Sequence, residues 1–162
     1  MNYYKEIRNK LIDNEVYERV KDYSKERNRL LTYYEVGKLL SEAGKHYGEG
    51  IIKEYSDRLT KEIGKGYSSR SLKYMRKFYL LKKGQPIAAQ LTWSHYIELF
   101  VLKNTDEINY YIDKCINLKL SRNELRERIK NKEYERLPKE YKSKLINKEN
   151  INIICNLFKI KS

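Results

Sequence analysis

The stretch IIKEYSDRLTKEIGKGYSSRSLKYMRKFYLL, Ile51 to Leu81, decides the fold. Ile51, Ile52, Tyr55, Leu59 and Ile63 fall within an arc of about 120° at 100° per residue, the pattern of an amphipathic helix. Gly64 and Gly66 end it. Ser68 follows where an N-cap belongs, because its hydroxyl can accept from the first unpaired backbone N–H groups. The helix it opens is expected to bury Leu72, Met75 and Tyr79. Arg70, Lys73, Tyr74 and Lys77 lie on the opposite face, with Arg76 at the flank. The stretch reads as helix, glycine-bearing turn, helix, and its second helix has one apolar and one basic face. The plainer reading of that basic face is a solvated charged surface, since many helical hairpins of this pattern bind nothing.

Working toward the N-terminus, residues 3 to about 42 read as one long helix or two in line. Ile7, Leu11, Ile12, Val16, Val20, Tyr23, Leu30, Leu31, Tyr34, Leu39 and Leu40 recur at spacings that fit a 3.6-residue period. Ser24 is positioned to cap a second helix if the run breaks there. Such a stripe serves either a partner chain, as in a homodimer, or the globular part that follows. Residues 43 to 50, AGKHYGEG, carry three glycines in eight residues and are expected to form a loop.

Toward the C-terminus, Lys82 to Pro86 is a turn, and Ile87 to Leu91 is either a short wing-like strand or a helical turn. Thr92 caps a helix from Trp93 to about Lys103, with Tyr96, Ile97, Phe100 and Val101 inward. Thr105, followed by Asp106 and Glu107, opens the next helix, which carries Ile108, Tyr111, Ile112, Cys115 and Ile116; acids suit the positive end of its dipole. Ser121 to Glu124 is a capping box that starts a helix to about Tyr134, with Leu125 and Ile129 inward. Pro138 marks a boundary, and the tail INIICNLFKIKS is apolar enough to dock on the body or on a partner. The expected organisation is all-α: a long N-terminal helical segment over 1–42, a helix-turn-helix-like bundle over 43–137, and a tail over 138–162.

Lysine and arginine total 35 against 22 acids, a net charge of +13. That excess favours an anionic partner, most often nucleic acid, although an AT-rich codon bias also inflates lysine. Cys115 and Cys155 are far apart, form no CxxC pair and stand at no ligand spacing from His46 or His95, so neither a structural zinc nor another cofactor is expected. No apolar run reaches the length of a membrane span and MNYYKEIRNK lacks a signal-peptide core, which points to a soluble, cytoplasmic protein with reduced thiols.

No catalytic constellation stands out. There is no GxSxG, P-loop or HExxH. Glu140-Tyr141-Lys142 spells an E-x-K fragment of the kind metal-dependent nucleases use, but no preceding strand or second carboxylate accompanies it. His95, in T-W-S-H, has no visible carboxylate partner. The basic helix is the better candidate. In helix-turn-helix docking the second helix turns its N-terminal residues toward base edges. Arg70 suits guanine, while Lys73, Lys77, Ser68 and Ser69 suit phosphates. The turn from Gly64 to Tyr67 is looser than the tightest bacterial form.

Several separate motifs carry a resemblance over residues 34 to 125: Y34-E-V-G37-K-L-L, Y47-G-E-G, L59-T-K-E-I-G, G66-Y-S-S-R70-S-L-K-Y-M75-R76-K-F-Y, Q90-L-T-W93-S94-H95, N109-Y-Y-I and L120-S-R-N-E-L125. In this order they resemble the N-terminal domain of the YhcG-type bacterial proteins. That family typically joins a helical domain thought to bind DNA to a C-terminal PD-(D/E)XK nuclease domain, and is linked by similarity to mobile elements and restriction-like functions. The chain ends at Ser162, where the nuclease domain would begin, so the resemblance carries over binding residues only. These are Gly66, Tyr67, Ser68, Arg70, Leu72, Met75 and Arg76, with Gln90, Trp93, Ser94 and His95 as a supporting group. Trp93 reads as core, whereas Gln90, Ser94 and His95 either buttress the basic helix or touch the nucleic-acid backbone.

The expectation is a non-enzymatic, duplex-DNA-binding protein that contacts DNA through Ser68, Ser69, Arg70, Lys73, Tyr74, Arg76 and Lys77. A homodimer and a separately encoded nuclease subunit are the possible protein partners. The rival expectation is a protein-interaction subunit or antagonist of a nuclease or defence complex.

Overall fold

The computed structural model describes residues 1–19 and 25–142, and no strand occurs among them. Seven helices follow one another: α1 (Tyr3–Arg19), α2 (Lys25–Tyr47), α3 (Gly50–Glu62), α4 (Ser69–Lys82), α5 (Trp93–Phe100), α6 (Thr105–Leu118) and α7 (Arg122–Lys130). Residues 139–142 form a further helical turn. The chain divides into two compact units, Met1–Lys103 and Asn104–Ser162.

In the first unit α1 and α2 are not in line but folded back on each other. The ring of Tyr3, at the start of α1, stacks on His46 at the end of α2, 5.8 Å between centroids. At the other end Asn28 donates to Asn14 at 2.9 Å and Arg29 pairs with Glu18 at 2.6 Å. The apolar stripe is thereby spent within the chain, where Ile7, Leu11, Val36 and Leu40 join one core. Val16 and Leu31 of the same stripe stay exposed. Val20, Tyr23 and the expected cap Ser24 lie outside the described residues.

The expected loop over 43–50 is almost entirely helix. Ala43 is fully buried, and α2 runs on to Tyr47. Only Gly48 stops it, with φ 84° in the left-handed region that suits glycine. Gly37, in the middle of α2, permits a close approach of α4, because a Cβ there would lie 2.1 Å from the Met75 carbonyl oxygen. The α2–α4 pair is the spine of the unit, and α1, α3 and α5 pack around it.

Helix α4 is rotated from the expected orientation. Its buried line is Leu72, Met75, Phe78 and Lys82, whereas Tyr79 is half-buried against Tyr34, 5.1 Å between ring centroids. The rotation comes from α5, whose Tyr96 ring meets Phe78 at 4.7 Å. Residues 87–91 form neither strand nor helix, so there is no wing. Helix α5 stops at Phe100 rather than continuing to Lys103, and Leu99, not Ile97 or Val101, joins Tyr96 and Phe100 inside.

In the second unit α6 is capped by Asn104, one residue earlier than the expected Thr105, with its Oδ1 accepting from the Asp106 N–H at 2.9 Å. Ile108, Tyr111, Ile112 and Cys115 are buried, as their spacing predicts. Burial pushes the Cys115 thiol up to about 11. Helix α7 opens on the Ser121–Glu124 capping box and closes at Lys130, four residues short of Tyr134, whose backbone N–H donates to the Tyr111 hydroxyl at 3.2 Å. No helix among the described residues is long and apolar enough to cross a membrane. Cys155 and the apolar tail lie outside the described residues.

Candidate nucleic-acid interface

The turn between α3 and α4 owes its path to two glycines and one anchor. Gly64 and Gly66 have φ of 129° and 111°, conformations that a side chain would strain. Tyr67 is then pinned from both sides: its hydroxyl donates to Glu15 of α1, and its carbonyl accepts from the Ser56 hydroxyl of α3 at 2.7 Å. Burial, with Glu15 beside it, pushes the phenol pKa well above its ordinary value, so the hydroxyl stays a donor. Ser68 caps α4 as its position predicts, with its Oγ accepting from the Ser71 N–H at 3.1 Å.

The expected contact residues separate into two groups. Arg70 and Lys73 are exposed, and Ser69 is half-exposed beside them. The Arg70 Nε donates to the Tyr74 hydroxyl at 3.0 Å, which holds the guanidinium along the helix, and the Tyr74 ring lies 5.6 Å from Phe100. Arg76 and Lys77 are committed internally. One Arg76 nitrogen reaches both oxygens of Glu49 at 2.9 Å, tying α4 to the α2–α3 link. The Lys77 amine donates to the carbonyls of Phe100 and Leu102 at 2.8 and 2.9 Å, satisfying backbone at the end of α5. Burial lowers its pKa.

Within the supporting group Trp93 packs against α4, whereas His95 serves the start of α5. Gln90 is exposed in the turn before it, and Ser94 is half-buried in its first turn. Trp93 packs edge-on to Tyr33 at 4.8 Å and to Phe78 at 5.5 Å, as a core residue does. His95 closes a reciprocal capping box in which its Nδ1 accepts from the Thr92 N–H at 3.0 Å. Sequence reasoning missed Glu26. Its carboxylate accepts from the Trp93 N–H at 2.6 Å across 67 residues and also pairs with Arg29 at 3.2 Å. A carboxylate at a helix N-terminus is favoured by the dipole, but a lone Glu in a charged helix carries no sequence signal of that role.

Charge is concentrated here. Residues 61–83 hold eight lysines and arginines against one acid, Glu62. Five of those cations, Lys61, Lys65, Arg70, Lys73 and Lys83, are exposed. Among the described residues no group of His, Cys, Asp and Glu side chains is placed to hold a metal ion. Glu140 of the E-x-K fragment is exposed in the 139–142 turn.

These features define an all-α protein with a cation-rich, glycine-hinged helical hairpin. The chain belongs to the DUF1016 N-terminal domain family, whose model matches residues 9–136, and this is the N-terminal family of the YhcG-type proteins. No curated protein and no solved structure gives a significant match.

Proposed function

We propose that this chain is a non-enzymatic DNA-binding protein that holds duplex DNA against the α3–α4 turn and the first two turns of α4. The observation that carries this reading is the run of exposed cations at Lys61, Lys65, Arg70 and Lys73 around a rigidly anchored turn. Arg70 and Lys73 make the contacts from α4, and Lys61 and Lys65 add two phosphate contacts from the turn and the end of α3. Tyr74 orients Arg70 through its hydroxyl, and Ser68, Arg76 and Lys77 keep the helix in place. A compact cationic surface binds a polyanion by releasing its counterions, so affinity falls steeply with salt. The resemblance to YhcG-type proteins supports a mobile-element or defence setting in which a nuclease acts with this chain.

The test is an anisotropy titration of duplex DNA with the wild type and with Arg70→Ala/Lys73→Ala over a range of salt concentrations. Four phosphate contacts give a log–log salt slope of about −3.6, and the double substitution should flatten it by about 2. Unchanged affinity and slope would remove α4 from the interface.

A further inference from the structure

We propose that the tyrosine-lined pocket where α1, α2 and α3 meet receives one unpaired nucleotide, so that the protein prefers duplex DNA carrying a single-stranded extension over blunt duplex. The pocket holds about 500 Å³, inside the range of about 300–1,000 Å³ usual for small-molecule sites. Its lining includes Tyr3 and Tyr4 from the start of α1, Tyr47 from the end of α2, and Glu54, Tyr55 and Arg58 from α3. Tyr3, Tyr4 and Tyr55 are buried side chains of the core, and the Tyr4 and Tyr55 rings meet at 5.4 Å. Tyr47 differs: it stands edge-on to Tyr3 at 6.4 Å and is 63% exposed. A ring so exposed beside a pocket offers a face on which a nucleobase stacks, the contact by which single strands are held whatever their sequence.

The charged side chains of the lining suit the rest of a nucleotide. The Arg58 guanidinium carbon lies 3.6 Å from the centroid of the Tyr4 ring. That contact uses the face of the guanidinium and holds it in place, while the N–H groups at its edge point outward in the plane and can donate to a phosphate. A cationic ligand fits less well, because the Tyr4 face that would attract one is already covered by Arg58. Glu54 is exposed one turn before Arg58 and supplies an acceptor for the exocyclic amine of cytosine. Arg58 and Lys61 are both exposed, about 60° apart around α3 and about 4.5 Å apart along it. Lys65 follows in the turn. A strand held at the cationic turn therefore has a path back along α3 into the pocket.

This inference rests on the reading that the α3–α4 turn holds duplex DNA, and the test separates the two. Blunt duplex and the same duplex with a short oligocytosine extension are titrated by anisotropy, with deoxycytidine monophosphate as a competitor. The proteins are the wild type, Tyr47→Ala, Arg58→Gln and Arg70→Ala/Lys73→Ala. The wild type should bind the extended duplex about tenfold more tightly than the blunt one, the effect of one stacked base. Tyr47→Ala alters a ring that is mostly in solvent, so it should keep the wild-type melting temperature and blunt-duplex affinity and lose the tenfold gain. Arg58→Gln is the second probe and should flatten the salt slope for the extended duplex by about 1. Equal wild-type affinity for the two duplexes overturns the proposal, as does a gain that survives in both pocket variants. Displacement of the extension by micromolar monophosphate also overturns it, because the ligand would then be a free nucleotide. The α4 variant should weaken both duplexes alike and preserve their ratio. If that variant is silent while Tyr47→Ala loses the gain, the pocket stands and the α4 reading falls.

Discussion

Replacing Gly37 with alanine tests the spine of the fold. A Cβ there would stand 2.1 Å from the Met75 carbonyl oxygen, 2.8 Å from its carbonyl carbon and 2.9 Å from the Tyr79 Cβ. An ordinary C···O contact is about 3.3 Å, so α2 and α4 must separate by roughly 1 Å at their crossing. The obstacle is backbone, which cannot swing aside as a side chain would. Val36, Leu40, Leu72 and Met75 are each at most 1% exposed around that crossing, and all lose contact when it opens. Overpacking costs about 1–3 kcal/mol, and this case belongs at the upper end; alanine's helix propensity returns about 1 kcal/mol. The net expectation is about 2 kcal/mol of destabilisation, a fall in Tm of roughly 10 °C for a unit of this size. Gly44, two turns further along α2, is the control. Its nearest neighbour to an added Cβ is the tip of Arg76 at 3.7 Å, an ordinary contact. Gly44→Ala should therefore stabilise by about 0.5–1 kcal/mol through propensity alone. Urea unfolding of both variants, followed by circular dichroism, reads the two signs. A Gly37→Ala protein as stable as the wild type, or a Gly44→Ala protein equally damaged, would refute the crossing as described.

Other outcomes follow from the buried polar contacts. Lys77→Ala deprives the Phe100 and Leu102 carbonyls of their shared donor, so stability should fall by about 1–3 kcal/mol, while the salt slope of DNA binding, measured on folded protein, stays at the wild-type value. A slope flattened by about 1 would make Lys77 a phosphate contact instead. Burial pushes the Glu18 carboxyl up, but the hydrogen bond and charge of Arg29 and the Asn14 amide outweigh it and hold the group below its usual 4.5. A lowered carboxyl pKa contributes stability that is complete above the unfolded value and is lost as pH falls through the folded one. Urea midpoints should therefore drop below about pH 4.5, and Glu18→Gln should flatten that acid limb; an identical limb in the variant would refute the assignment. Tyr67→Phe removes the hydroxyl bond to Glu15 and should cost about 1 kcal/mol in the same assay, with no loss counting against Tyr67 as the anchor of the turn.

The helices were legible in sequence where the apolar period was uninterrupted and a cap stood at its start. Ser68 and Ser121 cap α4 and α7 as their positions predict, because N-capping is local chemistry of a hydroxyl and the next few N–H groups. What failed was whatever depended on a distant partner. Residues 3–42 look continuous because a hairpin and a single helix share one period, and contacts between distant residues, such as Asn14 with Asn28 and Glu18 with Arg29, tell them apart. Gly44 reads as a loop signal, yet it lies within α2, where glycine's propensity cost of about 1 kcal/mol is small beside the burial of Leu39, Leu40 and Ala43. Ile87 to Leu91 has the composition of a short strand but no neighbouring strand to pair with among the described residues.

The same distinction governs the candidate site. Periodicity says which side chains share a face; it does not say which of them the protein uses for itself. Arg70, Lys73 and Lys77 sit on one side of α4 by sequence, yet only the first two are fully exposed, while the half-buried Lys77 amine is held by carbonyls at the end of α5. Arg76 is likewise spent on Glu49. A count of cations therefore overstates the interface, and the useful quantity is the number left exposed once structural donors are set aside. For residues 61–83 that number is five of eight. Those five, Lys61, Lys65, Arg70, Lys73 and Lys83, carry the charge most worth testing against DNA.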